Sequence, residues 1–179
     1  STTIIRHNVF IKATRASTGD LARPNLLVGA FPNTGAWARD RYQIYGNFLF
    51  QNASGTEPLF QGEGRFSFHD NILLNGFGGG GVLVRAHNGA VKDIDIYDNT
   101  IHVRGNGVSI SDGQGFTQRI VGNAIFADTA IRNGTARDNV TDAYGNANRY
   151  VANPSTTLGS ADYFPRAGQL VGAAIDLGV

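Results

Sequence analysis

Cysteine and methionine are both missing from this 179-residue chain. Without cysteine there is no disulfide, no thiolate nucleophile and no cysteine-held zinc or iron–sulfur centre. Two helix-forming residue types are also scarce: 2 Lys stand against 13 Arg, and 2 Glu against 12 Asp. Lys and Glu favour helices, whereas Asp, Asn and Gly favour turns. No apolar run reaches the roughly 18 residues of a transmembrane helix, so no membrane insertion is expected. The opening residues lack a basic region followed by an apolar one, so no signal peptide is expected within this chain. A net charge of +1 supplies no bulk attraction to nucleic acid, which is not expected as a partner.

What is present describes a folded chain with many turns. Hydrophobic residues make up 41% and charged residues 16%, which argues against disorder and for one domain with a core. Gly and Asn, at 24 and 16 residues, mark frequent turns between short strands.

One short pattern recurs: an apolar residue, Asn three later, and a mostly apolar residue two beyond that. It reads Ile5-Asn8-Phe10, Ile44-Asn47-Leu49, Phe68-Asn71-Leu73, Ile96-Asn99-Ile101 and Ile120-Asn123-Ile125, with a weaker Ala136-Asn139-Thr141. The Asn spacings are 39, 24, 28, 24 and 16 residues. Between the motifs lie further strand-like runs such as Leu26-Leu27-Val28, Pro58-Leu59-Phe60, Val82-Leu83-Val84 and Val108-Ser109-Ile110. Phe66-Phe68, Ile94-Ile96 and Val108-Ile110 alternate with period two, one side inward and one outward. Repeats of this size, with no helical period, predict a solenoid in which each coil buries its apolar face on the next. A β-sandwich would also use short strands, but it does not call for the same Asn in each unit. Stacked coils do, because a turn Asn can bond its copy in the next coil. The expected ladder is Asn47, Asn71, Asn99 and Asn123, with Asn tolerating the left-handed backbone of a sharp turn.

Arg41-Tyr-Gln-Ile-Tyr-Gly-Asn-Phe-Leu-Phe50 and Asp93-Ile-Asp-Ile-Tyr-Asp-Asn-Thr-Ile-His102 resemble the repeats of right-handed parallel β-helix proteins, the pectate-lyase-like group. The resemblance covers roughly residues 1–143. The stretches Leu158–Gly168 and Ile175–Gly178 look like the closing segment of secreted bacterial members. The expected fold is all-β: a right-handed parallel β-helix of about five to six coils over 1–143, with an irregular C-terminal cap over 144–179. The resemblance implies an exported bacterial protein, secreted, periplasmic or on the cell surface. It also implies binding or processing of an acidic, uronate-containing polysaccharide, by a lyase or glycoside hydrolase if the chain is active. The same fold serves non-catalytic shafts and stalks, so fold alone does not settle activity. The first repeat starts within four residues of Ser1, which predicts a piece of a longer β-helix or a first coil covered by another copy. Loops are expected around Ala13–Pro24 and Pro32–Asp40, where the spacing is longest.

Aligning the repeats on Asn turns the chain into columns about 4.8 Å apart. One outward face gathers Arg41, Tyr45, Arg65, His69, Asp93, Asp95 and Tyr97. Arg41, Arg65 and Arg85 can fork onto uronate carboxylates, and Tyr45 and Trp37 can stack on sugar rings. For a lyase, His69 or Tyr97 would supply the base and Arg65 the cation beside the carboxylate. Asp93 and Asp95 are oxygen donors suited to Ca²⁺, although no cofactor is required. The plainer reading of the same residues is adjacent-coil ion pairs, Arg65 with Asp93 and Asp95 with Arg119, and an outer ring ladder. Asp70, Asp98 and Asp138 precede the Asn and read as turn residues before catalytic ones. A second outward column is expected to hold Gln61, Arg85, Ser111 and Arg132. Trp37 is expected to pack its loop against the coils rather than to face a sugar. Gly76–Gly81 lacks the Lys-Ser/Thr and helix of a phosphate loop.

Overall fold

The computed structural model describes residues 1–12, 23–29, 34–51, 57–111, 113 and 115–170. Most of the expected Ala13–Pro24 loop, and Ile175–Gly178, fall outside the described residues. Strands form 54% of the chain and helix 7%, giving an all-β, solenoid-like fold with a nearly closed, barrel-like sheet. That architecture is compatible with a β-helix.

The first sheet has six strands in the order β1-β4-β7-β10-β12-β14. These are Thr2–Arg6, Arg41–Tyr45, Gly64–His69, Val91–Tyr97, Gln118–Val121 and Thr135–Arg137. The second sheet begins with β2 (Val9–Lys12), β5 (Phe48–Gln51), β8 (Ile72–Asn75), β11 (Thr100–Ile110), β13 (Ala124–Arg132) and β15 (Val140–Asp142). The same sheet continues from the later half of β11 through β9 (Val82–Val84), then β6 (Phe60–Gly62) and β3 (Leu26–Val28), each paired with the one before. Within these two sheets the pairings are parallel. Strands that neighbour each other in a sheet are separated by a circuit of chain, so they must run the same way.

Register follows the period-two pattern. Ile5, Ile44, Phe68, Ile96 and Ile120 lie side by side across the first sheet. Phe10, Leu49, Leu73, Ile101 and Ile125 do the same across the second. Together with Phe60, Val82 and Val108 they form one buried cluster, in which Ile44, Phe68, Leu73, Ile96, Ile101, Ile120 and Ile125 are all fully covered. Slipping any strand by one residue would turn this set out to solvent, which is why the register is well specified.

The corner between the sheets repeats one device. Asn8, Asn47, Asn71, Asn99, Asn123 and Asn139 form a ladder in which each backbone N–H donates to the next Asn Oδ1 at 2.9–3.0 Å. Each Nδ2 donates to that same oxygen at 2.9–3.1 Å. The four middle members are buried, so their amide groups need these partners. The left-handed residue is not the Asn but the one before it: His7, Gly46, Asp70, Asp98, Gly122 and Asp138, with φ between 52° and 68°. The expectation of a left-handed Asn is corrected accordingly. The ladder needs Asn in an ordinary backbone, and the reversal falls on Gly or Asp, which tolerate positive φ. This explains why Asp or Gly precedes five of these Asn residues.

Gly76–Gly81 is a close-packed corner. Gly79 and Gly80 have φ of 85° and 87°, and a Cβ on Gly80 would lie 2.6 Å from the Asn106 carbonyl. The tail leaves the parallel sheets through a 3-10 helix, Tyr144–Arg149, and a small antiparallel pair, β16 (Val151–Asn153) with β17 (Asp162–Pro165). It packs against the outward side of the second sheet. Phe126 and Ala124 of β13 meet Ala147, Val151, Tyr150 and Tyr163 there.

Candidate functional site

The outward side of the first sheet holds the column Arg6, Tyr45, His69, Tyr97, Val121 and Arg137. Adjacent strands bring the rings into a stack, Tyr45 on His69 at 4.9 Å and His69 on Tyr97 at 4.5 Å. Arg6 Nη1 donates to the Tyr45 hydroxyl at 3.1 Å, and His69 Nδ1 meets Asp70 Oδ2 at 2.8 Å. The His69 faces are therefore taken by its neighbours. Burial, together with Asp70, Asp95 and Asp98, pushes the Tyr97 phenol up to about 12. A phenol held in its neutral form is a poor proton acceptor at neutral pH.

The charged residues of this face mostly satisfy one another. Arg65 Nε bonds Asp93 Oδ2 at 3.0 Å, and its Nη1 donates to the Ala38 carbonyl at 2.6 Å. Asp93 Oδ1 also accepts from the Thr117 N–H at 3.2 Å. Arg119 Nε bonds Asp95 Oδ1 at 2.5 Å. Asp93 and Asp95 thus spend oxygens on cations of the protein, and among the described residues no three His, Asp or Glu side chains gather as a metal cage. Arg41 is the register neighbour of Arg65, is exposed, and has no carboxylate partner among the described residues.

Trp37 does not pack its loop against the sheets. It is 71% exposed on the 3-10 turn Ala36–Arg39. The expected packing fails because the turn is held by its backbone: the Ala38 carbonyl accepts from Arg65 and from Lys92 Nζ at 3.2 Å.

Arg85 lies away from that face. Its expected column is corrected by the register, which aligns Gln61 with Leu83, Ser109 and Arg132. β6 and β9 are only three residues long, so Arg85 and Ser111 fall beyond the strand ends, at a corner. There the chain forms two adjoining cavities of about 160 and 220 Å³. Leu27, Gln61, Arg85 and His87 line both. Gln61 is 4% exposed, yet its carboxamide makes no hydrogen bond among the described residues. The Arg85 and His87 side chains likewise have no polar partner among the described residues. Glu63 shapes the rim. Its carboxylate, 3% exposed, accepts the His87 N–H at 2.5 Å and the Asn88 N–H at 2.9 Å. It thereby holds the corner that carries Arg85 and His87. Glu63 also lies against Gly29 of the preceding circuit, where any Cβ would collide with it. Sequence reading passed over Glu63. The available signal was a rare Glu set between two glycines, Gly62-Glu63-Gly64.

No protein-family model, curated protein or solved structure matches this chain. The site therefore has to be read from its own chemistry.

Proposed function

We propose that the chain is part of a right-handed parallel β-helix of the pectate-lyase-like kind, exported, and that it binds an acidic polysaccharide at the Gln61–Arg85–His87 groove. The observation that carries this reading is unspent polar capacity at a cavity. Gln61 is almost wholly buried with its carboxamide unbonded, at the junction of two cavities that Arg85 and His87 also line. The Gln61 carboxamide is not among the polar atoms sealed without a partner, so it stays open to a ligand that enters the cavity. Arg85 offers a planar fork to a carboxylate, while Gln61 can both donate to and accept from sugar hydroxyls. A uronate unit carries both groups.

The test is affinity electrophoresis and calorimetry with polygalacturonate and alginate, using dextran as the neutral control. Binding to the acidic polymers, weakened about tenfold or more by Arg85→Ala or Gln61→Leu, supports the reading; that size is expected for a hydrogen bond to a charged group. Equal retention on dextran, or none on either acidic polymer, overturns it. A lyase would also release unsaturated sugars absorbing in the ultraviolet.

A second reading has its own observation. β1, β2 and β3 end their sheets, and they leave Ile4, Val9, Ile11 and Leu27 each at least 50% exposed. Unpaired apolar edges favour self-association, as in an assembly module. Concentration-dependent mass in sedimentation, abolished by Val9→Lys with Ile11→Lys, supports that reading; a monomer at all concentrations removes it.

A further inference from the structure

We infer that the Trp37 turn is a second contact for the same acidic glycan, a pre-formed aromatic platform with two exposed arginines, Arg39 and Arg41, close by in the chain. The inference rests on the acidic-polysaccharide reading above and adds a place on the molecule, away from the groove, where the polymer is held. Trp37 is the chain's only tryptophan and is 71% exposed. An exposed indole on a loose loop would mean little. This one is clamped from below. The Ala38 carbonyl accepts from Arg65 of β7 and from Lys92 of β10, and Lys92 is only 4% exposed. The turn is also closed by its own backbone, Ala38 N–H to the Gly35 carbonyl at 3.2 Å and Asp40 N–H to the Trp37 carbonyl at 3.1 Å. The backbone that carries the indole is thus fixed before any ligand arrives, which lowers the ordering cost of binding.

Charge then selects the ligand. Arg39 and Arg41 flank the turn, both exposed, and neither has a carboxylate partner among the described residues. Arg65, which holds the turn, also lies 5.6 Å from the ring centre of Phe116, itself 40% exposed. A flat apolar ring beside forked cations matches a sugar with a C–H face and a carboxylate. Two other exposed rings lack a free cation beside them: Phe164, 76% exposed, has Arg166 two residues on, but that guanidinium donates to the Asn148, Val151 and Ala152 carbonyls. Phe77 is 54% exposed in the glycine corner, where no basic side chain flanks it in sequence.

Because Trp37 is the only tryptophan, its emission reports this turn alone. The test is acrylamide quenching of the full chain's tryptophan fluorescence while polygalacturonate is titrated in, with dextran, oligodeoxythymidylate and anionic phospholipid vesicles as the other arms. Polygalacturonate should shield Trp37 from quencher, and dextran should not. Trp37→Ala should weaken polygalacturonate binding about threefold to tenfold, the range of one aromatic stack, and Trp37→Phe should recover part of it. Arg41→Ala should weaken binding and reduce the shielding. Polygalacturonate retained with unchanged quenching and unchanged affinity of Trp37→Ala overturns the platform but leaves the groove reading intact. Retention of no acidic polymer in either assay overturns both. Shielding by oligonucleotide or vesicles but not by polygalacturonate also overturns the platform. Trp37 supports no core packing, so its replacement leaves the fold in place for each comparison.

Discussion

The outward sides of the two sheets share a strand spacing and a register device, yet they are built from opposite chemistry. On the first sheet the outward positions are mostly polar, Arg, Asp, Tyr and His among them, and the Arg65–Asp93 and Arg119–Asp95 pairs spend their charge on each other. On the second, the column that starts at exposed Ile11 continues through Phe50, Leu74, His102 and Phe126, of which the last four are at most 3% exposed. Tail residues close over its C-terminal end. His102 is the one polar member of that apolar stretch, and it shows what the cover demands. Its Nε2–H donates to the Tyr144 carbonyl at 3.0 Å, and its Nδ1 takes the Tyr163 hydroxyl at 2.6 Å. The ring stacks on Tyr144 at 4.2 Å, and the Arg104 guanidinium lies 4.1 Å from the centre of the same tyrosine ring. A carbonyl can only accept, so Nε2 carries a proton, while the Tyr163 hydroxyl can either donate to Nδ1 or accept from it. One side of the solenoid is therefore an open surface, and the other is a second small core.

The largest effect should come from breaking the covered side. Phe126→Ala removes a fully buried ring beneath Ala147, Val151 and Tyr150, and should cost about 3–5 kcal/mol in urea unfolding. A loss near zero would mean that the tail does not contribute to stability. The corner that joins the two sides comes next. Asn71→Ala, in the middle of the ladder, should cost about 1–3 kcal/mol because it strips buried partners on both neighbours. Asn8→Ala, at the exposed end, should cost clearly less, and equal losses would break the ladder account.

A third test uses pH. Burial, aided by the nearby Arg104 charge, holds His102 below its ordinary value of 6.5, against the opposing bond to the Tyr144 carbonyl. The unfolded chain then takes up the proton before the folded one does. The stabilisation is complete above pH 6.5 and is lost as pH falls from there towards the depressed folded value. Stability should fall as pH drops below 6.5, and His102→Gln should flatten this slope in urea melts between pH 7 and 5.5. The smallest effect belongs to the open side. Arg119→Ala removes a partly exposed ion pair with Asp95 and should cost about 0–1 kcal/mol, shrinking further in salt. A loss as large as that of Phe126→Ala would erase the contrast between the two sides.

Much of the open side was legible in the residues. The columns Arg6–Tyr45–His69–Tyr97 and Gln43–Ser67–Asp95–Arg119 match the strand register because each circuit carries its own Asn marker. The Gln61 column failed at Arg85 because a three-residue strand ends before the expected partner, and nothing local marks that end. The covered side also left a signal that alternation alone does not use. Phe48-Leu49-Phe50 and Ile72-Leu73-Leu74 are apolar at successive positions, as strands buried on both faces are. Glu63 and Trp37 were harder to place. The first acts on N–H groups 24 and 25 residues away, and the second is held out by a lysine 54 residues from its turn.

The sequence by itself determined the repeating circuit: inward side chains by period-two alternation, the Asn corner, and, before five of the six Asn, a Gly or Asp in the left-handed position. These are local rules, settled by sterics and by hydrogen bonds to the same residue one circuit on. Only the tertiary structure decided which surfaces stay open. Exposure of Trp37, the hollow around Gln61 and the burial of His102 depend on loops and a tail that meet the strands from distant parts of the chain. No local period encodes such meetings, because their energy comes from surfaces that adjoin only after the circuits have stacked.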